Sequence, residues 1–167
     1  MRCVDLFCGC GGLSLGFARA GFTVEAAFDN WEAALAVYRN NFAHPAIQLD
    51  LSDIARAVGA VERFKPQMII GGPPCQDFSS AGKRDENNGR GDLTVDFARI
   101  VAGVRPEWFV MENVARIIKT QKLIEAKGIL KASGYGMSQM VLDACRCGVP
   151  QKRKRFFMVG RLGEQDG

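Results

Sequence analysis

Only one histidine, two tryptophans and two tyrosines occur among the 167 residues, and no apolar run approaches the ~20 residues that a membrane span needs. The N-terminus, Met1-Arg-Cys-Val-Asp-Leu-Phe-Cys-Gly, lacks the long apolar segment of a secretory leader, so a cytoplasmic location away from any membrane is expected. Repeats and low-complexity tracts are also missing, and with 47% hydrophobic and 24% charged residues the composition excludes fibrous and disordered classes. Without a secretion signal, the six cysteines (Cys3, Cys8, Cys10, Cys75, Cys145 and Cys147) read as reduced thiols rather than a disulfide framework. Neither Cys8-x-Cys10 nor Cys145-x-Cys147 has the spacer of two to four residues found in most zinc ligand pairs, and His44 has no second histidine to join it, so no metal site is expected.

What is present makes one domain, 1–167, at ~150 residues per domain, with little room for a separate substrate-reading unit. The formal net charge is +4, unevenly spread. Residues 1–80 carry six Lys or Arg against eight Asp or Glu, whereas residues 81–167 carry sixteen against ten. That second half suits a polyanionic partner. Apolar runs alternate with amphipathic stretches: Cys3–Phe7 then 13–20, Thr23–Phe28 then 31–41, Ala46–Leu49 then 52–58, Gln67–Ile70 then 93–103, and Trp108–Met111. The rhythm predicts an α/β fold with a doubly wound, mostly parallel sheet. After a helix near 117–132, the runs Met137–Leu142 and Arg155–Gly160 are joined too closely for a crossover helix. They predict an antiparallel last strand closing the sheet. The longest interruption, 72–92, holds four glycines and many charges, a composition expected of a functional loop.

Strand, glycine turn and helix follow one another at Val4–Phe7, Cys8-Gly-Cys-Gly-Gly and Leu13-Ser-Leu-Gly-Phe, the arrangement of nucleotide-type cofactor sites. Gly9, Gly11 and Gly12 permit positive φ and let backbone N–H groups approach a ligand. A dinucleotide site wants glycine where Ser14 stands, which disfavours a nicotinamide dehydrogenase and leaves a cofactor without phosphates, such as S-adenosylmethionine. Asp29, at the end of the second run, sits where a carboxylate holds a ribose diol, and Asp50 after the third run can accept from an adenine amino group. Each acid alone also fits a helix cap or an exposed charge; with the turn they define a cofactor site.

Cys75 follows Gly71-Gly-Pro-Pro at the carboxyl edge of the fourth strand, where open α/β sheets bind ligands. Its thiol, with a reference pKa near ~8.5, needs backbone donors or arginines to raise the thiolate fraction. Glu112 ends the Trp108–Met111 run and reaches the same crevice, so that a nucleophile and a carboxylic acid share one site. In Gln151-Lys-Arg-Lys-Arg155, β alternation sets Arg153 and Arg155 on one face and Lys152 and Lys154 on the other.

Assembled in order, these segments resemble the cytosine-C5 DNA methyltransferase family over nearly the whole chain: Asp5-Leu-Phe-Cys-Gly-Cys-Gly-Gly, Asp29, Asp50-Leu51, Gly72-Pro-Pro-Cys-Gln, Glu112-Asn-Val and Gln151-Lys-Arg-Lys-Arg. The resemblance implies a Rossmann-like S-adenosylmethionine site in which Phe7 packs on adenine, Leu93 and Leu51 line the pocket and Pro73 borders the cofactor. The family often has an aromatic residue directly after the ribose acid; here Asn30 holds that position and Trp31 comes next. It further implies that cytosine is flipped from double-stranded DNA, that Cys75 attacks C6, that Glu112 binds N3 and the exocyclic amine, and that Arg155 binds O2 with Arg153 in support. The loop 77–92, with Lys83, Arg84 and Arg90, becomes a lid over the base. An RNA (tRNA) cytosine methyltransferase or an inactive, partner-binding remnant are the alternatives. The family's target-recognition domain and Asn-Ser-containing final motif have no counterpart in 1–167. Either a complementing chain that carries them or a C-terminal part missing from a truncated fragment, an apolar face for it to cover, and a place in a restriction-modification system at the bacterial nucleoid are therefore expected.

Overall fold

The computed structural model describes residues 1–74 and 92–167. Seven strands form one sheet: β1 (Arg2–Leu6), β2 (Thr23–Asp29), β3 (Ala46–Gln48), β4 (Met68–Gly71), β5 (Trp108–Val114), β6 (Tyr135–Asp143) and β7 (Lys154–Leu162). The helices are α1 (Gly12–Arg19), α2 (Glu32–Asn41), α3 (Ile54–Glu62), α4 (Leu93–Val104) and α5 (Gln121–Ala132). Strand order is β3-β2-β1-β4-β5-β7-β6. β1 to β5 pair in parallel, and β7 runs against both β5 and β6. The doubly wound sheet with an antiparallel last strand is the architecture expected from the apolar rhythm.

Three helix starts are fixed by short side chains that accept from orphan N–H groups. Asp53 accepts from Arg56 N at 3.2 Å, Asp92 from Thr94 N at 2.9 Å and Thr120 from Leu123 N at 3.2 Å. The third helix runs to Glu62, past the expected 58, because its apolar positions Ala57 and Val61 continue into the core. β4 is buried along its whole length, as a central parallel strand must be when both faces are covered. One face carries α3, α4 and α5 over a cluster containing Leu6, Phe28, Ile69, Phe97, Phe109 and Phe156. Here Gly160 lies so close to the Phe109 ring that a Cβ would collide with it. The other face carries α1 over Cys3, Val24, Met68 and Ile70, and α2 over Ala27.

Two further boundaries that differ from expectation bear on the site. β5 continues through Glu112, Asn113 and Val114 because β7 pairs with them, Glu112 opposite Phe157 and Val114 opposite Arg155. β7 itself begins at Lys154, so Arg153 lies just before the strand and β alternation does not govern it. Its backbone N–H is instead fixed by Asp143 Oδ1, at 3.0 Å.

Candidate cofactor and base site

Parallel order reverses at β1 and β4, and at that switch point the carboxyl ends of the strands part to leave a crevice. A cleft of about 270 Å³ opens there. Its walls include Phe7 after β1, Asp29 and Asn30 after β2, Asp50 and Leu51 after β3, and Leu93 at the start of α4. All six were expected from the sequence. Trp31, Leu49, Gly72 and Pro74 complete the lining. Trp31, which is 65% exposed, supplies the aromatic surface that Asn30 lacks; the signal was its place one residue beyond. Pro74 rather than Pro73 faces the cleft, since Pro73 is buried.

The glycine turn builds the floor beside this cleft. Gly9 and Gly11 take φ of 50° and 93°, whereas Gly12 opens α1 with an ordinary backbone, and Phe7 itself adopts the left-handed region at φ 57°. A non-glycine residue held there is strained, and such strain gathers at ligand sites. Gly9 N–H donates to Asp29 Oδ2 at 2.9 Å and Trp31 N–H to Asp29 Oδ1 at 2.9 Å, so one carboxylate ties the two turns together. Each oxygen keeps acceptor capacity for a further donor. Asp50 Oδ1 accepts from Ser52 N at 3.0 Å and Ser52 Oγ at 2.7 Å, which sets its orientation.

Gly11 has no room for a side chain: a Cβ would lie 2.9 Å from Tyr38 Cδ2 and still closer to Phe42. Left-handed strain and overpacking add, so Gly11→Ala is expected to lower stability by about 3 kcal/mol. Urea unfolding of the two chains checks this, and an unchanged midpoint would refute it.

Across Gly72 lies the second half of the site. A Cβ on Gly72 would sit 3.3 Å from Glu112 Oε2, so this glycine is the thin wall between the cleft and the carboxyl. Arg155 Nε donates to Glu112 Oε1 at 2.9 Å, with the two side chains 24% and 27% exposed. Burial pushes the Glu112 carboxyl above its ordinary value, and Arg155 and then Arg153 pull it back. Both arginines therefore act on Glu112, although only Arg155 does so from the strand; an ion pair with Glu112 is a contact that the sequence did not point to. Asn113, which sequence reasoning passed over, is buried, and its Nδ2 donates to Pro73 O at 2.9 Å. Its Oδ1 accepts Val114 N at 2.8 Å. The carboxamide thus clamps the segment entering the Cys75 loop. Asn113→Ala leaves a buried carbonyl unpaired and is expected to cost about 1–3 kcal/mol, read as a fall in the thermal midpoint. Cys75, Lys83, Arg84 and Arg90 lie outside the described residues. Among the described residues no group of three His, Cys, Asp or Glu is placed to hold a metal ion, and no helix is long and apolar enough to cross a membrane.

Residues 1–166 match the family described as C-5 cytosine-specific DNA methylase. The Type II methyltransferase M.HindV of Haemophilus influenzae is 54% identical over 165 residues, which span 99% of this chain and 54% of that protein. M.HgiGI of Herpetosiphon aurantiacus is 55% identical over 116 residues, 70% of this chain and 92% of that one. Among solved structures, a prophage-encoded E. coli protein described as a DNA modification methyltransferase is similar at 32% identity and a TM-score of 0.82, with 97% of this chain and 47% of that one covered. The Dnmt2 methyltransferase of S. pombe shares the fold at a TM-score of 0.82 and 22% identity, over 100% of this chain and 51% of that one. The chain thus spans about half the length of M.HindV and of these two structures. It belongs to the C-5 cytosine-specific DNA methylase family.

Proposed function

We propose that this chain is the single cofactor-binding and catalytic domain, 1–167, of a DNA cytosine-C5 methyltransferase of the restriction-modification type. It takes its methyl group from S-adenosylmethionine and needs further polypeptide to read its target. The observation that carries this reading is the wall at Gly72, with the nucleoside-type cleft on one side and the Glu112–Arg155 pair on the other. Carboxylates of Asp29 and Asp50 accept from ribose hydroxyls and an exocyclic amine, while Phe7, Leu51 and Leu93 offer apolar surface to a base. Gly9, Gly11 and Gly12 supply the close backbone approach. S-Adenosylmethionine, when bound, supplies an electrophilic methyl group.

Chemistry then falls to side chains beyond Gly72. Cytosine leaves the duplex stack because C6 is shielded within it. The Cys75 thiolate forms an S–C6 bond, and the displaced electron pair moves through the ring toward C5. Glu112, held by Arg155, binds N3 and the exocyclic amine and so stabilises that charge. Arg155 also binds O2, with Arg153 behind it. C5 takes the methyl group; its proton then passes to water, the C5–H electron pair re-forms the C5–C6 double bond, and the S–C6 bond breaks, which returns the thiolate. Lys152, Arg153 and Lys154, all exposed, offer positive charge to the phosphate backbone.

The need for a completing polypeptide is supported by the α1 face of the sheet beyond β4. Met140 and Leu142 of β6 and Val159 of β7 share that face and are 58%, 37% and 37% exposed. Trp108 and Phe157 continue the stripe, and none of the described helices packs across β7 and β6 there. Contiguous apolar surface of this kind marks a protein contact. The test supplies this chain with the part of M.HindV that it does not match, and measures labelled methyl transfer to duplex DNA and to tRNA. Transfer to DNA, dependent on the added part, is expected; transfer to tRNA alone would overturn the DNA assignment.

A further inference from the structure

A run of polar side chains lies buried beneath the glycine turn, where Cys3 and Ile70 would lead one to expect only apolar packing. Asp5, one residue from the carboxyl end of the interior strand β1, is fully buried. Ser14 Oγ donates to Asp5 Oδ2 at 2.6 Å, Tyr38 OH donates to Ser14 Oγ at 2.7 Å, and Tyr38 OH meets His44 Nε2 at 2.6 Å. Asp5 Oδ1 has no partner among the described residues. The chain therefore begins at a partly exposed imidazole and ends at a carboxyl sealed in the sheet. It touches the cofactor turn twice. Ser14 stands in the first turn of α1, and the Tyr38 ring is the surface against which Gly11 is pressed.

We propose that His44, Tyr38, Ser14 and Asp5 form a proton relay that sets the charge under the glycine turn and so acts as a positioning device for cofactor binding. The consequence for the cofactor rests on the S-adenosylmethionine reading above; the relay itself does not. With Asp5 ionised, the donors run one way: His44 Nε2–H to Tyr38, Tyr38 O–H to Ser14, Ser14 O–H to Asp5. A proton taken up at His44 Nδ1 lets the Nε2 proton pass to Tyr38, the Tyr38 proton to Ser14 and the Ser14 proton to Asp5 Oδ2. The donors then run in reverse, from Asp5 O–H back to a bare His44 Nε2, and the imidazole has changed tautomer. One proton is gained overall, by the carboxyl, through a ring that stays neutral.

The surroundings bias this exchange in identifiable ways. Facing Asp5 are Cys3 on its own strand, Cys8 in the turn and Asp29 at the end of β2, besides Ser14 and Tyr38; β4 contributes only Ile70 opposite it. Glu25 of β2 faces His44 and Cys3. Burial raises the Asp5 carboxyl to about 7, the Ser14 hydrogen bond lowers it, and Asp29 raises it. Burial lowers His44, which favours the neutral ring that the relay requires. Because the folded chain holds the Asp5 proton more tightly than the unfolded one, the stability this contributes is complete below pH 3.8 and is lost as pH rises through about 7. An ionised Asp5 under the turn favours a cationic ligand over a neutral one. S-Adenosylmethionine carries a sulfonium that S-adenosylhomocysteine lacks, so the anion favours the methyl donor over the spent product.

Nitrogen NMR of His44 across pH 5 to 9 decides the relay without any ligand. A change from the Nε2–H to the Nδ1–H tautomer as Asp5 gains its proton is expected in the native chain, and its absence in Asp5→Asn and in Tyr38→Phe, which keeps the ring against Gly11. A native chain with one tautomer throughout, or variants that still switch, overturns it. Calorimetric titration then measures the ratio of the two dissociation constants. A preference for S-adenosylmethionine that grows about tenfold from low to high pH in the native chain and is flat in Asp5→Asn is expected, from a unit charge acting in a poorly screened interior. Equal pH dependence in both chains would overturn the charge effect. Failure of either ligand to bind would count against the cofactor reading and leave the tautomer result to stand by itself.

Discussion

Serine at position 75 abolishes covalent capture of duplex DNA containing 5-fluorocytosine once the chain is supplied with its completing polypeptide. Fluorine at C5 cannot leave as a proton, so the S–C6 bond that normally breaks after methyl transfer persists as a trapped adduct. A thiol is a few per cent ionised at pH 7 and is intrinsically nucleophilic, whereas a serine hydroxyl is not ionised at that pH and is weak without an activating base. Removal of a nucleophile that acts together with its partners lowers turnover on the order of 10⁴-fold or more. Each flank of the Cys75 segment is held in place: Asn113 grips Pro73 O on one side, and the Asp92 cap fixes the start of α4 on the other. Gel mobility of the denatured protein–DNA species reads the result. An adduct of undiminished yield in Cys75→Ser would remove Cys75 from the reaction.

Much of this arrangement is legible in the sequence because β1, β2 and β4 are largely buried parallel strands. Such strands appear as short apolar runs ended by Gly, Asp or Pro, and the site lies at those ends. Asp29 and Asp50 were therefore placed by counting runs, whereas Phe7 and Leu51 came from the family resemblance. β5 was read short, because Glu112 and Asn113 look like loop residues until β7, more than forty positions later, pairs with them. Ser14 is the clearest case of a signal read for the wrong property. Its hydroxyl excluded a dinucleotide turn, which is sound, but its partners Asp5 and Tyr38 lie 9 and 24 residues away. Only the folded sheet brings them together. Trp31 and Pro74 show the same limit at smaller scale, one residue from the positions the family pattern names.

Glutamine at position 112 keeps the shape of the site and removes its acid. The expected result is a fall in methyl transfer of about 10²–10³-fold, within the range for loss of a positioned proton donor or charge stabiliser. Stability should change little, since a glutamine carbonyl still accepts from Arg155 Nε, and at this partly buried contact the cost of burying the Glu112 charge offsets what the ion pair contributes. The pH profile separates this role from a structural one. Burial raises the Glu112 carboxyl, and Arg155 and Arg153 oppose that rise without reversing it, so the neutral acid persists to higher pH than an ordinary glutamate allows. A neutral acid donates to cytosine N3; once ionised it cannot. The share of Glu112 in its neutral, donating form falls as pH rises, and native transfer should lose rate on the alkaline side with it. Glutamine has no proton to lose, and its profile should lack that decline, at a lower level throughout. An alkaline decline that survives in Glu112→Gln would assign the titrating group elsewhere, and transfer at the native level would exclude Glu112 from the chemistry. Arg155→Gln gives the complementary result: the Glu112 carboxyl, freed of the guanidinium that pulls it down, holds its proton still more tightly, and the alkaline limb moves to higher pH.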